Sequence, residues 1–307
     1  MIITSTGFDP YEGWIGNKFF KYSTMISLAK EFNAKLCLDK WMCDAIFELN
    51  REKQTPAKID YKLSEGRNPL TVNTYHEDFS YIINVIRQNN LQGKTLDIAY
   101  DCNTFYHTSY YNNFKEDILR QFKFKDKISN YFDKEIEKIK ENLNIKKILI
   151  CNMRLSDDYA NKWKFPVKEF LETLKKEYTK DDFTIFVSTD SKKRANEILK
   201  DYDFYYFDQF AKYNILEDLK EEEIDLSLPE YGGDFAFLSD YYLMTKADKL
   251  ICSDSTFSYS ASMLNKNVNC QFFKYSLYDK KFISFNPWDT WLLDFRTFQF
   301  LDKNRGK

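Results

Sequence analysis

Glycine is scarce in this chain, with 8 residues in 307, and histidine scarcer still, with only His76 and His107. No G-x-G-x-x-G fingerprint and no G-x-x-x-x-G-K-[ST] loop occurs, so neither a dinucleotide dehydrogenase nor a P-loop NTPase is indicated. With so little histidine, catalytic zinc would have to lean on scattered cysteines, and no metal site is expected. The six cysteines (Cys37, Cys43, Cys102, Cys151, Cys252, Cys270) form no C-x-x-C pair. They read as reduced thiols, which favours a cytoplasmic location. No apolar run approaches the roughly 18 residues of a membrane span, and no secretory leader pattern opens the chain. Peripheral membrane contact stays open. Charge of one sign is not in excess either: 45 Lys and Arg against 47 Asp and Glu give a net charge of −2. A dedicated nucleic-acid surface is therefore not expected.

What is present describes a globular protein, 43% hydrophobic and 30% charged, long enough for two cores. "MIITSTGF" reads as a strand that ends in the polar loop "DPYEGWIGN". Apolar residues at 19, 20, 22, 25, 26, 28, 29 and 32 then give one wide helical face, and "KLCLD" follows as a strand. Residues 50–115 mix short apolar runs with polar loops and are less legible. "DKISNYFDKEIEKIKENLN" (126–144) is a charged amphipathic helix placed to link two domains. Beyond it strands (147–152, 183–190, "FYYFD") alternate with helices (167–178, "SKKRANEILKDY", "FAFLSDYYLMTKA"). Alternation of this kind predicts an α/β fold with parallel sheets. The expected division is 1–125, a linking helix at 126–146, a second domain at 147–285, and a tail at 286–307 that packs back on the first.

Ligands of open α/β sheets collect at the carboxyl ends of strands, where helix N-termini offer backbone donors. Three loops of the second half have that placement: "CNMRLSDD" (151–158), "STDS" (188–191) and "SDSTFSYS" (253–260). The first brings Asn152, Arg154 and Asp157, the second Ser188 and Asp190, the third Asp254, Ser255, Thr256, Phe257 and Ser258. A guanidinium and several hydroxyls ahead of helices suit a phosphorylated leaving group. Taken singly, these residues also have plain structural readings: Ser258 or Ser260 as helix caps, Asp157 as a turn cap, Arg154 as a surface or ion-paired residue.

Taken together, these stretches resemble the α-1,2-fucosyltransferase family. "EGWIGNKFFKYSTMISLAKEFNAKL" (12–36) is similar to that family's GxGNQxFQYAxAxALAK motif, with Gly16, Asn17, Phe20, Tyr22, Leu28, Ala29 and Lys30 in step. "DYYLMTKADKLICSDSTFSYSASMLN" (240–265) resembles its NSTFSWWxAxLN region, and "FTIFVSTDS" its FxxFSDD strand. The family's His-x-Arg-Arg-x-Asp motif is represented by "NMRLSD", with Asn152 at the histidine place and Leu155 at the second arginine.

The resemblance implies a GT-B glycosyltransferase, with two Rossmann-like domains facing across a cleft. It would be inverting and metal-independent. L-Fucose from GDP-fucose would be moved onto a glycan hydroxyl in surface-polysaccharide synthesis, with no cofactor beyond the sugar-nucleotide substrate. On this basis Arg154 grips the β-phosphate, and Ser255, Thr256 and Ser258 meet the pyrophosphate. Gly16 and Asn17 approach the donor, with Asn152, Ser188, Asp190, Asp254 and Phe257 around it. Asp157 orients Arg154 or meets the base or ribose, and Glu12 or Asp157 is the candidate general base. A UDP- or dTDP-linked donor, or an inactive sugar-nucleotide or glycan binder, are the alternatives. "DYD" (201–203) also fits the D-x-D pattern of a metal-dependent GT-A enzyme.

Overall fold

The computed structural model describes residues 1–5, 15–63, 78–98, 108–156, 165–224 and 236–290. These residues group into two compact units. The first opens with β1 (Ile2–Thr4), α1 (Ile15–Glu31), β2 (Lys35–Leu36) and α2 (Cys43–Ile46). It continues with β3 (Tyr61–Leu63), α3 (Asp78–Gln88), β4 (Thr95–Ile98) and α4 (Lys115–Gln121). Its sheet has the order β2-β1-β4-β3, and every pairing is parallel. The stretch 50–115, hard to read in the sequence, thus supplies half of this sheet.

At Asp126 the chain passes to the second unit with α5 (Asp126–Asn142). Then come β5 (Lys147–Met153), α6 (Val167–Glu177), β6 (Phe183–Thr189), α7 (Lys192–Ile198) and β7 (Phe204–Tyr205). A short helix α8 (Leu216–Glu221) returns to the first unit. The second unit then resumes with α9 (Ala236–Met244), β8 (Lys249–Cys252), α10 (Thr256–Leu264), β9 (Gln271–Ser276) and β10 (Lys281–Ser284). Its sheet runs β10-β9-β8-β5-β6-β7, parallel except for the terminal β9–β10 hairpin.

Strand β5 lies near the middle and is buried from Ile148 through Met153, the near-continuous apolar run expected of a strand covered on both faces. One face packs Leu149, Cys151 and Met153 with Phe170 and Leu174 of α6 and Ala195 of α7. On the other, Phe186 meets Phe207, which meets Phe132 of α5, which stacks on Tyr242 of α9 at 4.9 Å. The helix read as a link is therefore a working part of the second core.

Scarce glycine shows in how helices stop. Two residues past the last helical residue of α1, α3 and α5 stands an asparagine in the left-handed region: Asn33 (φ 49°), Asn90 (φ 52°) and Asn144 (φ 51°). In each case the next residue's N–H donates to the carbonyl five positions back: Ala34 to Ala29, Leu91 to Ile86, Ile145 to Lys140. That is the Schellman closure, with Asn, the non-glycine residue most tolerant of this conformation, in the glycine position.

Inside the first unit lies an ion pair with no exposure on either side chain: Arg51 donates from both terminal nitrogens to the two oxygens of Asp44, each at 2.6 Å. Asp44 also accepts from the N–H of Trp41, and Arg51 donates to the carbonyl of Asp39. Removing one partner strands the other charge in a dry setting. Asp44→Ala is expected to cost about 3–5 kcal/mol of stability. The Asp44→Ala, Arg51→Met double variant is expected to recover most of that loss, read from urea unfolding midpoints.

Candidate functional site

Pairing around β5 decides what meets at its carboxyl end. In register, Asn152 lies opposite Ser188 and Met153 opposite Thr189 on β6, while Cys151 lies opposite Ile251 on β8. The loops leaving β5, β6 and β8 therefore start side by side on one edge of the second sheet. Side chains knit them together. Asn152 donates from Nδ2 to Oγ of Ser188 (3.3 Å) and accepts at Oδ1 from the hydroxyl of Ser253. All three are nearly buried, and the N–H of Ser253 donates to the carbonyl of Asn152 at 3.0 Å. Asn152 and Ser188, expected against the donor, are tied to each other and, through Asn152, to Ser253 at this edge.

Asp190 shapes the arginine loop. Its Oδ1 accepts from the N–H groups of Leu155 (2.6 Å) and Ser156 (2.9 Å), and its Oδ2 lies 3.8 Å from Nε of Arg154. Arg194 of α7 closes the same turn from the other side by donating to the carbonyl of Leu155. Arg154 is thus steered from the rear while its side chain keeps 34% of its surface exposed. Leu155, at the place of a second arginine in the family motif, is 1% exposed and packed in the core cluster. That position faces inward here.

The hydroxyl run after β8 divides in two. Ser255 is the N-cap of α10, its side chain accepting from the N–H of Phe257 at 3.3 Å. Ser258, fully buried, turns its hydroxyl back onto the carbonyls of Ser253 and Ser255. Ser260, also buried, donates to the carbonyl of Phe257 and accepts from Tyr241. Ser258, expected to meet a pyrophosphate, is buried and has its hydroxyl engaged in this turn. Asp254, Thr256 and Phe257 keep partial exposure. Asp254 accepts from the hydroxyl of Tyr259 (3.2 Å), and the Phe257 ring packs 5.1 Å from that of Tyr241. The edge thus carries a partly exposed guanidinium, the carboxylates of Asp190 and Asp254, and the capped start of a nine-residue helix, whose N-terminus favours anions.

Gly16 and Asn17 belong to the first unit and sit in the first turn of α1, Gly16 buried and Asn17 partly so, where a loop had been expected. Glu12 and Asp157 lie outside the described residues. The D-x-D candidate has a different setting: Asp203 precedes β7, at the amino end of that strand and the opposite edge of the sheet, and pairs with Lys180 at 2.7 Å. Cys37, Cys43, Cys151, Cys252 and Cys270 are free thiols. No described helix is long and apolar enough to cross a membrane.

Nothing in the sequence marks Asp240 as a site residue. It sits in α9, only partly exposed, hydrogen-bonded to Ser188 of the knit edge. Burial, reinforced by Asp208, lifts its pKa from 3.8 to about 7 against the opposing pulls of Ser188 and Lys192. In sequence it is one of 47 acidic residues; only the packing marks it. Below about pH 4 it is neutral folded or unfolded; between about pH 4 and 7 the unfolded chain releases its proton and the folded chain keeps it. Stability attributable to Asp240 is therefore present in acid, falls as pH rises toward 7, and is flat above. Asp240→Asn is expected to flatten the profile of thermal midpoint against pH across that window. An unchanged slope would show that the proton is bound elsewhere.

A scan against protein-family models finds no match, and neither does comparison with curated protein sequences. Solved structures do match. The α-1,6-fucosyltransferase NodZ soaked with GDP-fucose aligns over 93% of this chain and 98% of its own, with TM-score 0.53 and 14% identity. Fucosyltransferase NodZ from Bradyrhizobium aligns over the same shares with TM-score 0.55 and 12% identity. A mutant of FUT1 from Arabidopsis thaliana in complex with GDP covers 91% of this chain and 71% of its own, with TM-score 0.51 and 11% identity. These likenesses span both units, and the chain has the α/β fold of the GT-B class that these proteins share.

Proposed function

We propose that the protein is a glycosyltransferase that takes a sugar from a nucleotide diphosphate, with GDP-fucose the first candidate donor, and passes it to a hydroxyl of a glycan. The observation that carries this reading is Arg154, just past the end of β5, on the sheet edge where the neighbouring strand β8 runs on into the N-terminus of α10. The fold likeness to NodZ soaked with GDP-fucose supports the choice of donor.

The reaction is an inverting displacement. The acceptor oxygen attacks the anomeric carbon from the face opposite the diphosphate, the carbon–oxygen bond to phosphate breaks, and the nucleoside diphosphate leaves with the electron pair. Arg154 and the α10 N-terminus meet that growing charge as preorganised donors. Thr256, partly exposed on the first turn of α10, adds a hydroxyl, and Asp190 and Arg194 hold the loop rather than touch the donor. The acceptor proton would pass to a carboxylate, with Glu12 and Asp157 the candidates. The first unit would take the acceptor and the second the donor, in a cytoplasmic enzyme building surface glycan. Metal independence belongs to this reading, and activity that survives EDTA is its check.

Arg154→Ala is expected to lower the rate of sugar transfer by about 100-fold or more with the circular dichroism spectrum unchanged. Full activity in that variant would end the role given to Arg154. Thermal-shift titration with GDP, UDP and dTDP identifies the base: GDP alone should raise the melting temperature. Stabilisation by UDP or dTDP instead would replace the donor while keeping the reaction. Nucleotide release absent with every donor and acceptor would favour an inactive binder.

A further inference from the structure

The first unit contains a pocket that the site above does not use. It has a volume of about 430 Å³, within the roughly 300–1,000 Å³ range of small-molecule sites. It lies where α1 ends and the chain turns into β2, at the amino end of that strand, and the segments 48–50 and 117–123 complete its wall. Ile26, Ala29, Ala34 and Leu36 supply apolar surface. Three carboxamides, Asn33, Asn50 and Gln121, line it as well.

The polar groups are held in place. Oε1 of Gln121 accepts from the hydroxyl of Tyr22 (2.7 Å) and the N–H of Asn50 (3.3 Å), which fixes the amide with its NH₂ as the end able to donate elsewhere. Asp117 is gripped by Lys30 (2.8 Å) and Arg120 (3.3 Å), and Arg120 keeps 72% of its side chain exposed. Glu48 and Lys123 are tied through the backbone, the N–H of Glu48 donating to the carbonyl of Lys123 at 2.8 Å.

Charge decides between ligand classes. Lys30, Arg120 and Lys123 face Asp117 and Glu48, a nearly balanced set, so a phosphate or an acidic peptide would meet carboxylates as well as cations. A purely apolar guest would strip water from amides and ion pairs without replacing their hydrogen bonds. A sugar ring offers C–H faces to the alanine and leucine surface, and its hydroxyls both donate and accept around the edge. We propose that this pocket is a saccharide-binding site, separate from the strand-end site of the second unit and specific for a neutral mono- or disaccharide portion of a glycan.

The test uses the full chain with cellobiose, lactose and N,N′-diacetylchitobiose as probes, read by saturation-transfer NMR and by titration, with and without saturating GDP. At least one probe is expected to bind at millimolar concentration, undisplaced by GDP. Its affinity should fall at least about tenfold in the Asn50→Ala, Arg120→Ala double variant, whose replaced side chains lie at the surface. Ala34→Trp, which fills the pocket, should abolish binding in a chain whose thermal midpoint stays near that of the parent. Absence of binding by all three probes, survival of binding in the double variant, or displacement by GDP would each overturn the proposal. The outcome is separate from the transferase reading: failure of GDP itself to bind counts against that reading, while the sugar titration still decides this one.

Discussion

The pairing of β5 on both sides is the constraint from which the candidate site follows. A parallel strand with neighbours on each edge and helices on each face has only its carboxyl end free for chemistry, and the fixed register brings Asn152, Ser188 and Ser253 together there. Buried side chains at such an edge must satisfy one another, because water does not reach them. The hydrogen bonds of Asn152 to both neighbours do so, and they hold three loop starts at one spacing. Arg154 then inherits its position from the scaffold: two backbone N–H groups on Asp190 and one carbonyl on Arg194 define the turn it occupies. In the proposed reaction, preorganisation of this kind would keep the guanidinium from searching for its ligand.

Much of the scaffold could be read from the chain. Periods of two and 3.6 alternate clearly from residue 147 onward, and β5, α6, β6 and α9 lie within a few residues of the expected spans. Where reading failed, the physical reason differs by place. β3 and β4 are short and need the whole sheet to be worth forming, so their local pattern is weak. "FYYFD" supplies only two strand residues before a 3₁₀ turn takes Phe207, because the Phe207 ring is claimed by Phe132 and Phe186. The β9–β10 hairpin was not foreseen, since its tip is set by Ser276 and Asp279 bonding to each other and not by a glycine turn.

The site residues teach a similar lesson at the level of single side chains. A serine near a helix start can serve a ligand or serve the backbone, and its letter does not say which. In the 253–260 run the backbone and buried polar neighbours claim Ser253, Ser255, Ser258 and Ser260. What a sequence can convey is that a strand hands over to a capped helix at the edge where anions bind; which hydroxyl faces outward depends on packing from residues far along the chain. Asp240 makes the same point in reverse: an ordinary acidic letter becomes a proton-holding group because packing around α9 takes it out of water, against the opposing pull of Ser188.

Leu155 changes the electrostatics that the proposed reaction must live with. Its side chain belongs to the core, so the loop presents one guanidinium where the related motif would present two. A helix N-terminus contributes about half an elementary charge, so on the proposed reading Arg154 and α10 would together bring roughly one and a half against a diphosphate leaving group, less what Asp190, 3.8 Å from Arg154, takes back. In bulk water that deficit would matter little and help little. In a closed, poorly hydrated site the same charges act several times more strongly, because the effective dielectric constant falls from about 80 toward 20. With one cation in place of two, leaving-group stabilisation in the proposed reaction would depend more on exclusion of water than on added charge.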